Sequence, residues 1–206
     1  MTFETEQDVF WAGDFGTEYI KRNQGSNLLA SNLNFFINAL RYTRNVKSAI
    51  EFGANIGMNL HALRLLYPSM DLHAIEINSN AAIELKKIIP VKNIYQNSIL
   101  DWNPSKKLDL AIIKGVLIHI NPDQLNHVYD KLVNATSKYL LVAEYYNPVP
   151  VAIPCRGHED RLFKRDFAGE IMQQHPEMKL LDYGFVYRLD NDFPQDDITW
   201  FLLEKR

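Results

Sequence analysis

Short apolar runs alternate along this chain with longer amphipathic stretches. The apolar runs have the length of strands, and the alternation is typical of βαβ units that build a parallel sheet. Two late runs, at residues 179–187 and 198–204, predict strands that pair antiparallel at the sheet edge. The earlier runs predict buried strands at residues 48–52, 72–77, 93–96, 108–113 and 139–144.

Helices are predicted between these strands and ahead of the first one. Prolines mark several boundaries, because the residue before a proline disfavours helix, and Pro122 followed by Asp123 favours a helix start. The predicted helices cover residues 10–23, 28–42, 58–66, 80–89, 122–135 and 165–175. We therefore predict an N-terminal helical cap over residues 1–45, packed on an α/β core over residues 46–206.

Composition narrows the class of protein. Hydrophobic residues make up 47% of the 206 residues and charged residues 23%, which suits one folded core and argues against disorder. The formal net charge of −3 argues against a nucleic-acid binder, and no apolar run approaches the ~20 residues that span a bilayer. One cysteine, Cys155, and a polar N-terminus without signal-peptide features predict a cytoplasmic protein.

The strongest chemical signal follows the first predicted strand. A dinucleotide loop of the form G-x-G-x-x-G that starts at Gly53 needs two more glycines, but the chain has Asn55 and Met58 there. The pattern E-x-G-x-x-x-G, set by Glu51, Gly53 and Gly57, fits instead and resembles the first S-adenosylmethionine (SAM) motif of class I methyltransferases. An ordinary strand–turn–helix glycine pair is the alternative interpretation.

Two further segments suit the nucleoside part of SAM. Glu76 ends the second predicted strand, 23 residues after Gly53, where a carboxylate can accept hydrogen bonds from ribose hydroxyls. Ser98 and Ile99 follow the third strand, where the loop borders adenine in this fold, although many relatives carry an aspartate at the position of Ser98. A solvated strand-end acid and a plain turn are the alternatives.

The ends of the fourth and fifth strands carry the candidate catalytic groups. Lys114 ends the fourth strand beside the expected methyl donor, and its carbonyl suits the SAM ammonium. His119 follows and is the first candidate for a general base, with His158 and Glu144 as the others. A histidine that packs under the cofactor or caps the next helix is the alternative for His119.

A long loop after the fifth strand predicts the acceptor site. Long loops in compact domains are often functional, and an arginine pair suits a carboxylate or a phosphate. The candidate substrate-binding residues in this loop are Tyr145, Tyr146, Arg156 and Arg161. A solvated loop with local salt bridges is the alternative, and the aromatic segment near Trp11 predicts either a lid or a packing helix.

Other catalytic classes lack their motifs. The sequence has no H-E-x-x-H or C-x-x-C pattern for a metal, no G-x-S-x-G elbow and no P-loop. We therefore expect no metal ion in the site.

Several segments together resemble the pseudaminic acid biosynthesis-associated methyltransferases, over nearly the whole chain. The segments that carry the resemblance are residues 10–23, 51–57, 114–122, 144–148 and 156–158. The resemblance implies a SAM-dependent enzyme that methylates a sugar, a nucleotide-linked sugar or a cell-surface precursor. It also implies that Tyr19, Arg22 and Asn23 hold the methionine end of SAM.

The sequence thus predicts an α/β protein with the class I methyltransferase Rossmann-like fold. We expect a seven-stranded, mostly parallel sheet with an antiparallel last strand, plus N-terminal helices. The expected reaction moves the SAM methyl group to a hydroxyl or amine of a small polar acceptor and releases S-adenosylhomocysteine (SAH). A catalytically silent SAM-binding or partner-binding module is one alternative, and a nucleotide-dependent oxidoreductase, disfavoured by Asn55 and Met58, is the other.

Overall fold

A seven-stranded sheet forms the centre of the protein, in the order β3-β2-β1-β4-β5-β9-β8. The computed structural model describes residues 5–20, 24–153 and 162–206. Strands β1 to β5 pair in parallel, and β9 runs antiparallel between β5 and β8. The strands are β1 Ser48–Phe52, β2 Asp71–Glu76, β3 Ile94–Gln96, β4 Leu108–Lys114, β5 Thr136–Glu144, β6 Val151–Ala152, β7 Phe163–Lys164, β8 Met178–Val186 and β9 Ile198–Lys205. The sheet predicted from the sequence is confirmed.

Helices cover both faces of the sheet, and two short helices near the N-terminus precede them. They are α1 Glu6–Ala12, α2 Asp14–Ile20, α3 Ser26–Ala39, α4 Met58–Leu66, α5 Ser79–Leu85, α6 Leu125–Ala135 and α7 Phe167–Gln174. Short 3-10 turns lie at Val91–Asn93, Leu117–His119 and Pro122–Gln124. Across the described ranges, no helix is long and apolar enough to cross a membrane.

The central strand β4 shows why the sheet is buried on both faces. Leu110 and Ile112 point into a core shared with α3 and α4, whereas Ala111 and Ile113 point into a core shared with α6 and α7. Successive side chains of a strand alternate between faces, so a strand covered on both sides must be apolar at nearly every position. This double burial fixes β4 beside β1 at the middle of the sheet.

Two predicted segments form different elements in the structure, whereas others differ only in their bounds, such as α5, which ends at Leu85 and not at residue 89. The helix predicted over residues 10–23 is wrong: two short helices, α1 and α2, meet at Gly13, whose N–H closes α1 on the carbonyl of Val9. A Cβ at Gly16 would collide with the backbone carbonyl of Trp11, so this tight turn requires glycine there. The segment predicted as a long loop after β5 contains β6, which pairs with β7.

One asparagine holds α1 and α2 over the carboxyl edge of the sheet. The Nδ2 atom of Asn78, which follows β2, lies 3.2 Å from the carbonyl oxygen of Trp11 and 3.2 Å from the hydroxyl of Thr17. Its Oδ1 accepts from the backbone N–H groups of Asn80 and Ala81 and so caps α5. Asn78 is 3% exposed, and its buried amide is therefore fully engaged between the core and the N-terminal helices.

Candidate active site

A cavity of about 470 Å³ lies at the carboxyl edge of the parallel strands. Its walls come from the loops after β1, β2, β3 and β4, from α1, α2 and the first half of α3, and from the loop between β8 and β9. The neighbours of β1 are β2 on one side and β4 on the other, so the chain reverses its direction of travel across the sheet here. Open α/β sheets bind their ligands at such a switch point.

The loop after β1 has a backbone that few residue types adopt. Gly53, Asn55 and Gly57 all have positive φ angles, of 74°, 48° and 82°. A Cβ at Gly53 would also lie 2.7 Å from Cγ2 of Val116, so the loop approaches the β4 end closely. Asparagine tolerates the left-handed region better than most residues, which explains Asn55 where a dinucleotide loop would need glycine.

Glu76 is joined to this glycine loop by a hydrogen bond. Its Oε2 accepts from the backbone N–H of Asn55 at 2.6 Å, and its Oε1 accepts from the N–H of Asn78 at 2.7 Å. Burial raises the pKa of Glu76, and these backbone donors lower it in part. The side chain lines the cavity, and each carboxylate oxygen has a second lone pair for a ligand donor.

Three acceptor oxygens near the glycine loop are buried and have no donor among the described residues. They are Oε2 of Glu51, Oδ1 of Asn59 and Oδ1 of Asn32. Asn59 donates from Nδ2 to Oε1 of Glu51 at 2.6 Å, and both asparagines line the cavity. Burial raises the pKa of Glu51 to about 8, although Asn59 and Lys114 lower it in part. Sequence reasoning identified Glu51 and missed the two asparagines.

The loop after β3 receives a carboxylate from the N-terminal helix. The hydroxyl of Ser98 donates to Oδ2 of Asp8 at 2.8 Å and accepts from the N–H of Leu100 at 3.0 Å. Ser98 is 1% exposed and does not line the cavity, whereas Asp8 and Ile99 do. Asp8 therefore presents the acidic group at this wall, and no local pattern around Asp8 predicted this role.

Lys114 and His119 form the wall at the end of β4. The Nζ atom of Lys114 lies 5.5 Å from the ring centroid of Phe35, and burial lowers the pKa of this lysine against the opposing effect of Glu51. The imidazole of His119 lies 4.8 Å from the ring centroid of Trp11, at an interplanar angle of 54°. Both Trp11 and His119 line the cavity, as does Tyr19, whose ring packs edge-on against Trp11.

Glu144 lies behind this wall and does not line the cavity. Its Oε1 accepts from the N–H groups of Val116 and Leu117, each at 3.0 Å, and its Oε2 has no partner in the described part of the chain. Burial raises the pKa of Glu144 to about 7, while the backbone donors lower it in part. The carboxylate thus anchors the turn that ends in His119.

The predicted acceptor loop is only partly described. Tyr145 is half-buried and hydrogen-bonded to Asp196, and Tyr146 is exposed with its ring 5.9 Å from that of Phe201. Neither tyrosine lines the cavity. The remaining predicted site residues lie outside the described ranges, and they are Arg22, Asn23, Arg156, His158 and Arg161. Within those ranges, no group of three His, Cys, Asp or Glu side chains is arranged to hold a metal ion.

Comparison with known proteins identifies the fold. No protein-family model and no curated protein match the chain, so the resemblance to the pseudaminic acid-associated family stays a prediction. The structure superposes on 1,6-didemethyltoxoflavin-N1-methyltransferase from Burkholderia thailandensis with a TM-score of 0.71 and 11% identity. That alignment covers 100% of this chain and 91% of the other, which was solved with its substrate and SAH.

Two further methyltransferases show the same fold. Magnesium protoporphyrin IX methyltransferase from Synechocystis, solved with SAM, matches with a TM-score of 0.65, 10% identity and full coverage of both chains. The mitomycin 7-O-methyltransferase MmcR matches with a TM-score of 0.67 and 13% identity over 98% of this chain, which spans 61% of that protein. The chain therefore has the class I SAM-dependent methyltransferase fold.

Proposed function

We propose that this protein is a SAM-dependent methyltransferase that acts on a hydroxyl or amine of a small polar acceptor. One observation carries the proposal: the positive-φ loop at Gly53 and the carboxylate of Glu76 are hydrogen-bonded to each other on the wall of one cavity. The first lets a ligand approach the backbone, and the second accepts from a pair of ribose hydroxyls.

The polar groups of the cavity suit the three parts of SAM. The adenine ring contacts Ile99, and its exocyclic amine donates a hydrogen bond to the carboxylate of Asp8. The ribose hydroxyls donate hydrogen bonds to Glu76. At the far side of the glycine loop, the unpartnered oxygens of Asn32 and Asn59 accept from the methionine ammonium, which lies close to the carboxyl group of Glu51. An ammonium has three donors, so three acceptors without donors match it. Tyr19, Arg22 and Asn23 remain the proposed contacts of the methionine end.

The residues at the end of β4 align the acceptor and remove its proton. SAM supplies an electrophilic methyl group on a sulfonium. The acceptor lone pair must point at that carbon, and holding two reactants in line contributes about 7–11 kcal/mol. His119 is our first candidate to take the acceptor proton, since it lines the cavity and its turn is fixed by Glu144. His158 remains the second candidate, and Glu144 serves as a positioning residue.

A sugar-type acceptor is the finer part of the proposal. It rests on the sequence resemblance, and the polar wall formed by Lys114, Gln195 and Asp196 supports a hydroxyl-rich molecule. Tyr145, Tyr146, Arg156 and Arg161 remain the proposed contacts of the acceptor from the loop after β5. A catalytically silent module would share the cofactor contacts and lack only the transfer step.

Calorimetric titration of SAM and SAH into the purified protein tests the proposal. We expect both to bind with micromolar Kd, and we expect Glu76→Gln to weaken SAH binding by 10-fold or more, because the amide replaces one acceptor oxygen with a donor. Glu84→Gln on α5 is the matched control and should bind like wild type, since Glu84 pairs with Lys87 away from the cavity. If the wild-type protein bound neither SAM nor SAH, the proposal would be contradicted.

Acceptor-dependent release of SAH from SAM tests the enzymatic step. A panel of sugars and nucleotide-linked sugars supplies the acceptors, and release above the acceptor-free rate supports transfer. Tight SAH binding without release on any member of the panel would favour the silent module.

A further inference from the structure

The loop between β8 and β9 contributes an unusual side chain to the cavity. Gln195 is 8% exposed and lines the cavity, yet neither its Oε1 nor its Nε2 has a hydrogen-bond partner in the described part of the chain. Buried side-chain polar groups are paired in the large majority of cases, so each exception calls for an explanation. An apolar side chain at position 195 would avoid the desolvation cost of both atoms.

Hydrogen bonds that do not involve Gln195 close this loop. Oδ1 of Asp190 accepts from the N–H groups of Asp192 and Phe193, and Oδ1 of Asp197 accepts from the N–H of Arg188. Among the described residues, none therefore bonds the two polar atoms of Gln195. A ligand that enters the cavity would supply their partners.

Gln195 lies in the loop before β9, at a distance across the sheet from the residues proposed to bind the SAM nucleoside. Thr199 near the start of β9 pairs with Glu144 at the end of β5, so Gln195 lies at the carboxyl edge beyond β5. The acid Glu76 ends β2, which lies on the other side of β1 and β4. The two residues therefore line opposite ends of one cavity, with the end of β4 between them.

The surroundings of Gln195 define the chemistry of its ligand. The loop also brings Arg188, Pro194 and Asp196 to the cavity wall. The carboxylate of Asp196 is hydrogen-bonded to Tyr145, and its charge offsets in part the burial that lowers the pKa of Lys114. Within residues 187–197, all of which the structure describes, no aromatic ring lines the cavity. A wall with three hydrogen-bonding side chains and no aromatic ring suits a polyhydroxylated ligand better than a flat heterocycle.

We propose that Gln195 forms the acceptor subsite and binds a pair of adjacent hydroxyl groups on a sugar-class acceptor. One hydroxyl donates to Oε1 and its neighbour accepts from Nε2, which satisfies both buried atoms at once. The inference rests on the proposed methyltransferase function and names the group that recognises the acceptor. It places the acceptor beyond Lys114, on the side of the cavity away from Glu76.

Gln195→Leu tests the subsite, with Gln173→Leu as the matched control on the exposed face of α7. Thermal unfolding without ligand comes first: we expect the Tm of Gln195→Leu to equal or exceed that of wild type, because the change removes buried polar atoms without partners. A clear fall in Tm relative to the control would show that the amide stabilises the apo protein, and would overturn the inference.

Ligand binding separates this subsite from the cofactor site. SAH should bind Gln195→Leu within twofold of wild type, and a loss of 10-fold or more would assign Gln195 to the cofactor and overturn the inference. With SAH bound, saturation-transfer NMR should detect methyl α-mannoside, which carries adjacent hydroxyls, on wild type and Gln173→Leu but not on Gln195→Leu. 2-Pyridone, a flat heterocycle with one donor and one acceptor, is the second probe. A Gln195-dependent signal from 2-pyridone and not from the mannoside would overturn the sugar class, and so would the absence of a signal from both probes. Failure of wild type to bind SAH would instead reject the proposed function itself.

Discussion

At the scale of single residues, the clearest feature is the contact between the carboxylate of Asp8 on α1 and the loop after β3. The hydroxyl of Ser98 in that loop donates to Asp8, which lies 90 residues earlier in the chain. The acidic group on this wall of the cavity therefore comes from the N-terminal helix and not from the loop itself.

Asp8→Ala should weaken SAH binding by about 10-fold, since hydrogen bonds to charged groups contribute about 1.5–3 kcal/mol. S-inosylhomocysteine, which has a carbonyl in place of the exocyclic amine, should bind wild type more weakly than SAH and should lose this disadvantage on the variant. Calorimetry of both ligands measures the effect, and Asp14→Ala at the exposed start of α2 is the control. Equal discrimination by wild type and Asp8→Ala would contradict the adenine contact.

Local signals found one class of site residue and missed another. Glu76 and Gly53 could be predicted because strand-end positions in a parallel sheet converge on one edge whatever the rest of the chain does. Asn32 and Gln195 could not, because a polar residue on an amphipathic helix or in a polar loop has nothing in the sequence to distinguish burial in a cavity from exposure to solvent. Only tertiary packing shows that their polar atoms have no partners.

At the scale of elements, Asn78 links the N-terminal helices to the core. Its side chain both caps α5 and binds the backbone of α1 and α2. Asn78→Ala should lower the free energy of unfolding by about 0.5–2 kcal/mol for the lost cap alone. It should also raise hydrogen exchange in α1 and α2 and leave β1 unchanged.

Hydrogen-exchange mass spectrometry measures that local opening. Asn126→Ala on the exposed face of α6 is the control, and it should show neither effect. Unchanged exchange in α1 and α2 of Asn78→Ala would show that other contacts, such as the Asp8–Ser98 bond, suffice to hold these helices.

The bounds of some elements were predicted correctly because local side-chain burial determines them. Strand β1 and helix α4 have the predicted bounds, because an apolar run and a helix start directly after Gly57 leave little choice. The N-terminal segment was predicted as one helix and forms two, because the break depends on Gly16 packing against the Trp11 carbonyl. That contact joins residues only five apart, but it forms only once the chain has turned between α1 and α2, and a glycine in a helical pattern does not reveal the turn.

At the scale of the whole molecule, the sheet order follows from a few physical constraints. A strand that is apolar on both faces must lie inside the sheet, and parallel neighbours need crossover helices, which the alternating pattern supplies. The shape of the cavity does not follow in the same way. It requires α1 and α2 from one end of the chain and the β8–β9 loop from the other to meet over the sheet edge.

Burial of acids at this edge predicts how the whole protein responds to pH. Burial raises the pKa of Glu51 from 4.5 to about 8 and that of Glu144 from 4.5 to about 7. The folded state therefore holds protons that the unfolded state releases, and the free energy of unfolding should fall as pH rises from about 4.5 to about 8. Lys114 acts with the opposite sign at higher pH, because burial lowers its pKa.

Ligand binding should report the same buried charge. If the SAH ammonium lies beside Glu51, binding favours the ionised carboxylate, so SAH affinity should rise as pH increases toward 8 and each binding event should release close to one proton at pH 6–7. Calorimetry in two buffers with different ionisation enthalpies measures that release. Glu51→Gln removes the titrating group and should abolish both the proton release and most of the pH slope. Proton release that persists in Glu51→Gln would place the ammonium away from Glu51 and assign the titration to another group, with Glu76, which is also buried and has a raised pKa, the next to examine.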